Sequence, residues 1–146
     1  MKRSFSSSRS AAGASESCIA LIDARFLAWL QGQGDGSVAH RGQLGALLAS
    51  ALAGNGLDVQ LRRIYWYSDA TDDTVIDGQV VRPVQAHSLD GGVSMLRALG
   101  ADLRRLAERQ ACEHILVGSD DERLLTLIDD AQLHGVSVHL LVDEAS

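Results

Sequence analysis

The sequence predicts an α/β fold of three layers. A central, mainly parallel sheet of about four to five strands carries helices on both faces, with a small β-hairpin added. Three observations lead there. CIALID (18–23), HILVG (114–118) and VSVHLLV (136–142) are short apolar runs of the kind buried on both sides of a parallel sheet. Segments of helical periodicity separate them. Asp77-Gly78 between β-branched runs at 74–84 is a short-hairpin signal.

The elements follow in order. CIALID ends in an acid, Asp23, and runs into the helical segment ARFLAWL. Gly32, Gly34 and Gly36 break the chain. From His40 to Ala53, Leu44, Leu47, Leu48, Ala51 and Leu52 recur at helical spacing, and Gly54 ends the run. DVQLRRIYWYSD (58–69) is the second strand, alternating and then aromatic. TVIDGQVVRPV (74–84) is the hairpin, and Pro83 makes its second arm an edge or a terminus. SMLRALGADLRRLAERQA is a long amphipathic helix with Leu96, Leu99, Leu103 and Leu106 on one face. HILVG is the third buried strand. A helix from Asp120 to His134 closes at Gly135, and the last strand follows. Residues 1–16, polar and rich in Ser, Ala and Gly, read as a disordered tail, and 17–146 as one domain.

A chain of 146 residues with 46% hydrophobic residues can bury a real core. Its formal net charge of -6 excludes a broad basic face for nucleic acid, so such contact must be local, metal-assisted or shared with a partner. No apolar run is long enough to span a membrane, and the N-terminus has no secretory apolar core. Cys18 and Cys112 each precede an apolar run and read as buried, reduced thiols, which with the missing signal points to the cytoplasm.

Ligands of an open parallel sheet bind outside the carboxyl ends of its strands. Here those ends are acidic several times over: Asp23, then Asp69, then Ser119-Asp120-Asp121, then Asp143 and Glu144. Adjacent carboxylates repel one another unless a cation neutralises them, and hard oxygen ligands suit Mg²⁺ or Mn²⁺. Each acid also has a plainer reading. Asp23 can cap a helix, Asp120, Asp121 and Glu122 can complement a helix dipole, and Asp69, Asp72 and Asp73 can be solvated loop acids. Asp102, inside a helix against its propensity, is either exposed or held for a purpose.

IALIDARFL (19–27), RRIYWYSDA (62–70), GGVSMLRALGADLRRLA (91–107) and ILVGSDDERLLTLIDDAQLHGVSVHLL (115–141) together resemble the NYN domain, the LabA-like branch of the PIN-like nuclease superfamily, whose fold is Rossmann-like. The resemblance implies a metal-dependent endoribonuclease that hydrolyses RNA phosphodiester bonds. It implies Asp23, Asp102, Asp120 and Asp121 as catalytic and metal-holding residues for Mg²⁺ or Mn²⁺; beside them Arg25, Ser94, Ser119 and Glu122 are read as the substrate-binding residues. RNA is the implied partner, and a homodimer would help an acidic monomer present a basic groove. The chain departs from the family pattern in three places. Ala24, Arg25 and Phe26 follow the first Asp where Gly and Asn are usual. Gly91-Gly92-Val93-Ser94 lacks the Lys and the Asp of the Lys-Gly-Val-Asp turn, with Asp90 a possible substitute. Gly-Ser-Asp-Asp-Glu stands for Ser-Gly-Asp-x-Asp. These departures open the alternative of a catalytically degenerate domain acting as an RNA-binding or protein-interaction module.

Other residue sets carry less. His40, His87, His114, His134 and His139 show no ligand spacing and read as structural or surface residues. Trp29 and alternate members of Tyr65-Trp66-Tyr67 are assigned to the core. Arg62, Arg63, Arg82, Arg97, Arg104, Arg105 and Arg109 read as solvated, with a modest phosphate-contacting patch as the sharper possibility.

Overall fold

The computed structural model describes residues 16–32 and 41–142. The predicted tail up to Ser15 lies outside them, as do Gly34, Gly36, His40, Asp143 and Glu144. Among the described residues there are five strands, β1 (Glu16–Asp23), β2 (Val59–Ser68), β3 (Gln79–Pro83), β4 (His114–Gly118) and β5 (Ser137–Leu140), and four α-helices. The helices are α1 (Ala24–Leu30), α2 (Leu44–Gly54), α3 (Val93–Glu108) and α4 (Leu124–Gln132). All pairings are parallel, in the order β3-β2-β1-β4-β5. The order reverses at β1, so the crevice of a doubly wound sheet falls between the carboxyl ends of β1 and β4.

The period of two along β1 divides the core. Ile19 and Leu21 face α3 and α4, packing with Met95, Leu99, Leu103, Leu124 and Ile128. Cys18, Ala20 and Ile22 face α1 and α2, packing with Phe26, Leu27, Leu44, Leu48 and Leu52. Three layers follow, as the sequence predicts. Trp66 and Tyr67 are both fully buried because β2 is covered on both faces. Trp29 is not core: it is 58% exposed and leans on Phe26 with ring centroids 6.1 Å apart. Among the described residues no helix is long and apolar enough to cross a membrane.

The predicted β-hairpin is not formed. A two-residue hairpin turn of type I′ needs positive φ at both central residues, and only Gly78 has it; Asp77 does not. Val75 in the would-be first arm is 94% exposed. The second arm instead becomes β3, which adds in parallel to β2 with Tyr65 opposite Val80 and Trp66 opposite Val81. Its return loop is anchored by a buried arginine. Arg41 donates to Thr74 O at 2.9 Å, meets Asp72 at 3.0 Å and bonds Gln79 at 3.2 Å. Asp72 is therefore an ion-pair partner rather than a solvated loop acid. The helix predicted from Asp120 starts only at Leu124, since Ser119 and Asp121 bond to backbone amides two residues ahead and hold 119–123 as turns.

Cys18 and Cys112 are free and buried, on opposite faces of the sheet. Burial pushes the Cys18 thiol up to about 12 and the Cys112 thiol up to about 11. Thiolate is the reactive form, so both should resist a thiol reagent at pH 8 in the native protein. Both should react rapidly in urea. Fast labelling of either one in the native state would contradict this packing.

Candidate functional site at the carboxyl edge

Asp23 is the last residue of the central strand and the N-cap of α1. Its Oδ1 accepts from the Arg25 amide at 2.9 Å. It is only 3% exposed. Burial pushes its carboxyl above the ordinary range, and Asp120, close enough to repel it, pushes the same way. The Arg25 and Phe26 amides and the nearby His87 act against that rise. Asp120 follows β4 across the crevice and is exposed. Among the described residues neither Asp23 nor Asp120 has an arginine or lysine partner. They form the carboxylate pair at the point where the strand order reverses.

Two other acids at this edge, Asp121 and Asp69, are held by arginines. Asp121 grips Arg123: Nε donates to Oδ1 at 2.9 Å and Nη2 to Oδ2 at 2.7 Å. The Arg123 hydrogen bonds hold the Asp121 carboxyl below the ordinary range. Asp69 is no solvated loop acid. Its Oδ2 accepts from Arg25 Nε at 2.9 Å and from the His87 amide at 3.1 Å. Partial burial raises the Asp69 carboxyl, but the His87 amide and Arg25 outweigh that and bring it low. Asp90 accepts from the Gly92 and Ser94 amides, each at 3.0 Å, at the start of α3. The Ser94 hydroxyl, the leading cause, helps hold its carboxyl low. Ser94 is thus tied to Asp90, and Ser119 Oγ accepts from the Asp121 amide at 3.2 Å, so both serines serve turns. Glu122 is exposed.

Asp102 has a different role from the one the resemblance implies. It is 1% exposed inside α3. Its Oδ2 accepts from Tyr67 Oη at 2.7 Å and Arg82 Nε at 3.0 Å. Its Oδ1 accepts from Arg82 Nη2 at 3.1 Å and Arg105 Nη1 at 2.9 Å. A carboxylate has about four lone-pair sites, so none is left for a cation. Arg82 and Arg105 are likewise withdrawn from the candidate phosphate patch, and Arg104 pairs with Glu108 at 3.1 Å.

A cage of several protein ligands therefore does not fit: among the described residues no three His, Cys, Asp or Glu side chains are grouped to hold a metal ion. A two-carboxylate site does fit. Mg²⁺ commonly takes one or two carboxylates and completes its shell with water and substrate phosphate. Asp23 and Asp120 would supply such a pair, and a cation would relieve the repulsion between them. The class this fold and edge define is a doubly wound parallel α/β domain with an acidic, arginine-braced strand edge. Compared with known proteins, the chain matches no family model, no curated protein and no solved structure.

Sequence reasoning missed Arg123, His87 and Tyr67 as parts of this network. Arg123, directly after the acidic turn, was the legible one. His87 and Tyr67 reach their partners only through the fold.

Two stability predictions follow from these environments. Asp102→Ala should cost about 3–5 kcal/mol in urea denaturation, as expected for breaking a buried pair, with or without Mg²⁺. Asp23 behaves oppositely. Its folded-state carboxyl is raised, so the folded chain holds the proton more tightly than the unfolded one, and stability falls as pH rises through the raised value. Asn caps about as well as Asp. In chelator, Asp23→Asn should therefore raise Tm at pH 7 and lose that advantage in acid, where Asp23 is also neutral. A lower Tm at neutral pH would show that the Asp23 charge is satisfied in the native chain.

Proposed function

We propose that the chain is a Mg²⁺- or Mn²⁺-dependent endoribonuclease of the NYN kind, with a reduced metal site made by Asp23 and Asp120. One observation carries this reading: a buried carboxylate at the end of the central strand lies near enough to a second one, after β4, to be repelled by it, with no arginine or lysine on either among the described residues. The sequence resemblance points the same way. When bound, the cation would activate a water and stabilise charge on the scissile phosphate. Asp23 is fixed by its cap bond to Arg25, so its orientation is set before substrate arrives. Asp102 and Asp121 leave the proposed ligand set because their oxygens are spent on arginines.

A second reading has its own support. Asp102 is sealed, and Ser94 stands where the family turn has an acid and is tied to Asp90. Those facts favour a catalytically degenerate domain acting as an RNA-binding or protein-interaction module.

Cleavage of a labelled structured RNA separates the two readings. In Mn²⁺ or Mg²⁺ the wild type should cut, and chelator should stop it. Asp23→Asn and Asp120→Asn should each lower the rate on the order of a hundredfold or more, as expected for a direct metal contact. Asp121→Asn should retain much more activity than either. Equal background from folded wild type and variants in Mn²⁺ would sink the nuclease reading and leave the binding one.

A further inference from the structure

We infer that Arg123 and Arg25 together contact the RNA phosphates beside the Asp23–Asp120 pair, and that Asp121 and Asp69 are positioning residues for them. This rests on the RNA-directed reading above and gives that site its substrate contacts.

The two arginines follow the two strands that flank the crevice. Each is braced by a carboxylate on one side only. Arg25 spends Nε on Asp69 and remains 54% exposed, leaving both terminal nitrogens unspent among the described residues. Arg123 spends Nε and Nη2 on Asp121, places Nη2 on Gly91 O at 2.9 Å, and remains 49% exposed with Nη1 unspent among the described residues. A guanidinium has five N–H donors in a rigid fork that matches phosphate oxygens. Bracing one edge of the fork fixes the direction of the other.

One connected set of contacts joins them. The Asp69 oxygen that holds Arg25 also accepts the His87 amide. The His87 ring and Arg123 then share the space above Gly92. A Cβ there would lie 2.9 Å from the imidazole and 3.2 Å from Arg123 Nη2, and φ is +80°. Glycine at 92 therefore lets the loop close over the edge and bring Arg123 into place.

Charge supports the assignment. Arg25 and Arg123 balance Asp69 and Asp121, which leaves Asp23 and Asp120 for a divalent cation. With the cation bound, Asp23, Asp120, Asp69 and Asp121 are balanced, and among the described residues Asp90, held by backbone amides, and exposed Glu122 are the negative charge left for a phosphodiester to meet. The same acids without arginines would repel it even when the cation is present.

The test is RNA binding by fluorescence anisotropy over a salt series, in Ca²⁺, with a labelled single-stranded oligoribonucleotide. A phosphate contact on a single strand contributes about 0.7 to the slope of log K against log salt. Arg123→Gln and Arg25→Gln should each weaken binding several-fold and reduce the slope by about that amount. Arg123→Lys should recover part of the affinity, because charge remains but the bracing by Asp121 and Gly91 that directs the Nη1 donors is lost. Arg104→Gln, on an exposed helix face, should change neither. Mn²⁺ affinity is read separately by electron paramagnetic resonance. Asp121→Asn should keep Mn²⁺ and weaken RNA binding by no more than Arg123→Gln does, whereas Asp23→Asn should lose Mn²⁺.

An unchanged slope in Arg123→Gln, with wild-type RNA binding intact, would overturn the arginine assignment and spare the RNA reading. Loss of Mn²⁺ in Asp121→Asn would return Asp121 to the metal and overturn its positioning role. A wild type that binds no RNA would overturn both readings. Displacement of the RNA by low inorganic phosphate would also overturn the assignment, since it would identify a small-anion site.

Discussion

Strand β1 is paired on both sides and covered on both faces, and the rest of the molecule is arranged around that constraint. A central parallel strand can hold no charge along its length without a large desolvation cost. Its apolar run ends where the sheet surfaces, and Asp23 stands there. Helix α1 begins at once, so the same carboxylate must also cap a helix. The buried acid at the crevice is a consequence of where the central strand stops.

The edge strand β3 has only one neighbour in the sheet. Arg82 on β3 reaches the Asp102 carboxylate of α3 with two bonds, and Tyr67 of β2 reaches it with a third. Asp102 thus fastens the edge of the sheet to the helix layer above it. Buried ion pairs add little net stability once desolvation is counted, but removing one partner is costly. That asymmetry makes Asp102 a fixture of the fold and unsuited to a role in which it must release its partners for a cation.

The acids of the carboxyl edge divide by partner. Asp69, Asp121 and Asp102 are matched with arginines from other segments or from the same turn, and Asp90 with backbone amides. Among the described residues Asp23 has only its capping amides, and Asp120 and exposed Glu122 have no arginine partner. The division separates structural carboxylates from candidate functional ones more sharply than position along the chain does. It also explains how an acidic edge can coexist with a phosphate-binding proposal.

The sequence by itself determined the layer architecture. Continuous apolar runs such as CIALID and HILVG demand burial on both faces, and helical periodicity between them demands parallel pairing. It also determined that acids crowd the carboxyl ends, because strand-end residues are read directly from where apolar runs stop. Tertiary structure decided what each acid does. The difference between Asp102 and Asp120 lies in Arg82 and Tyr67, which are far from Asp102 in sequence and near only after β2, β3 and α3 pack. The hairpin at 74–84 failed for the same kind of reason. Asp77-Gly78 is a local signal, and the open edge of β2 was a stronger partner for Val80 and Val81 than the exposed Val75 arm. Local patterns fix elements, whereas the sharing of lone pairs and strand edges is a competition among residues that only the folded chain brings together.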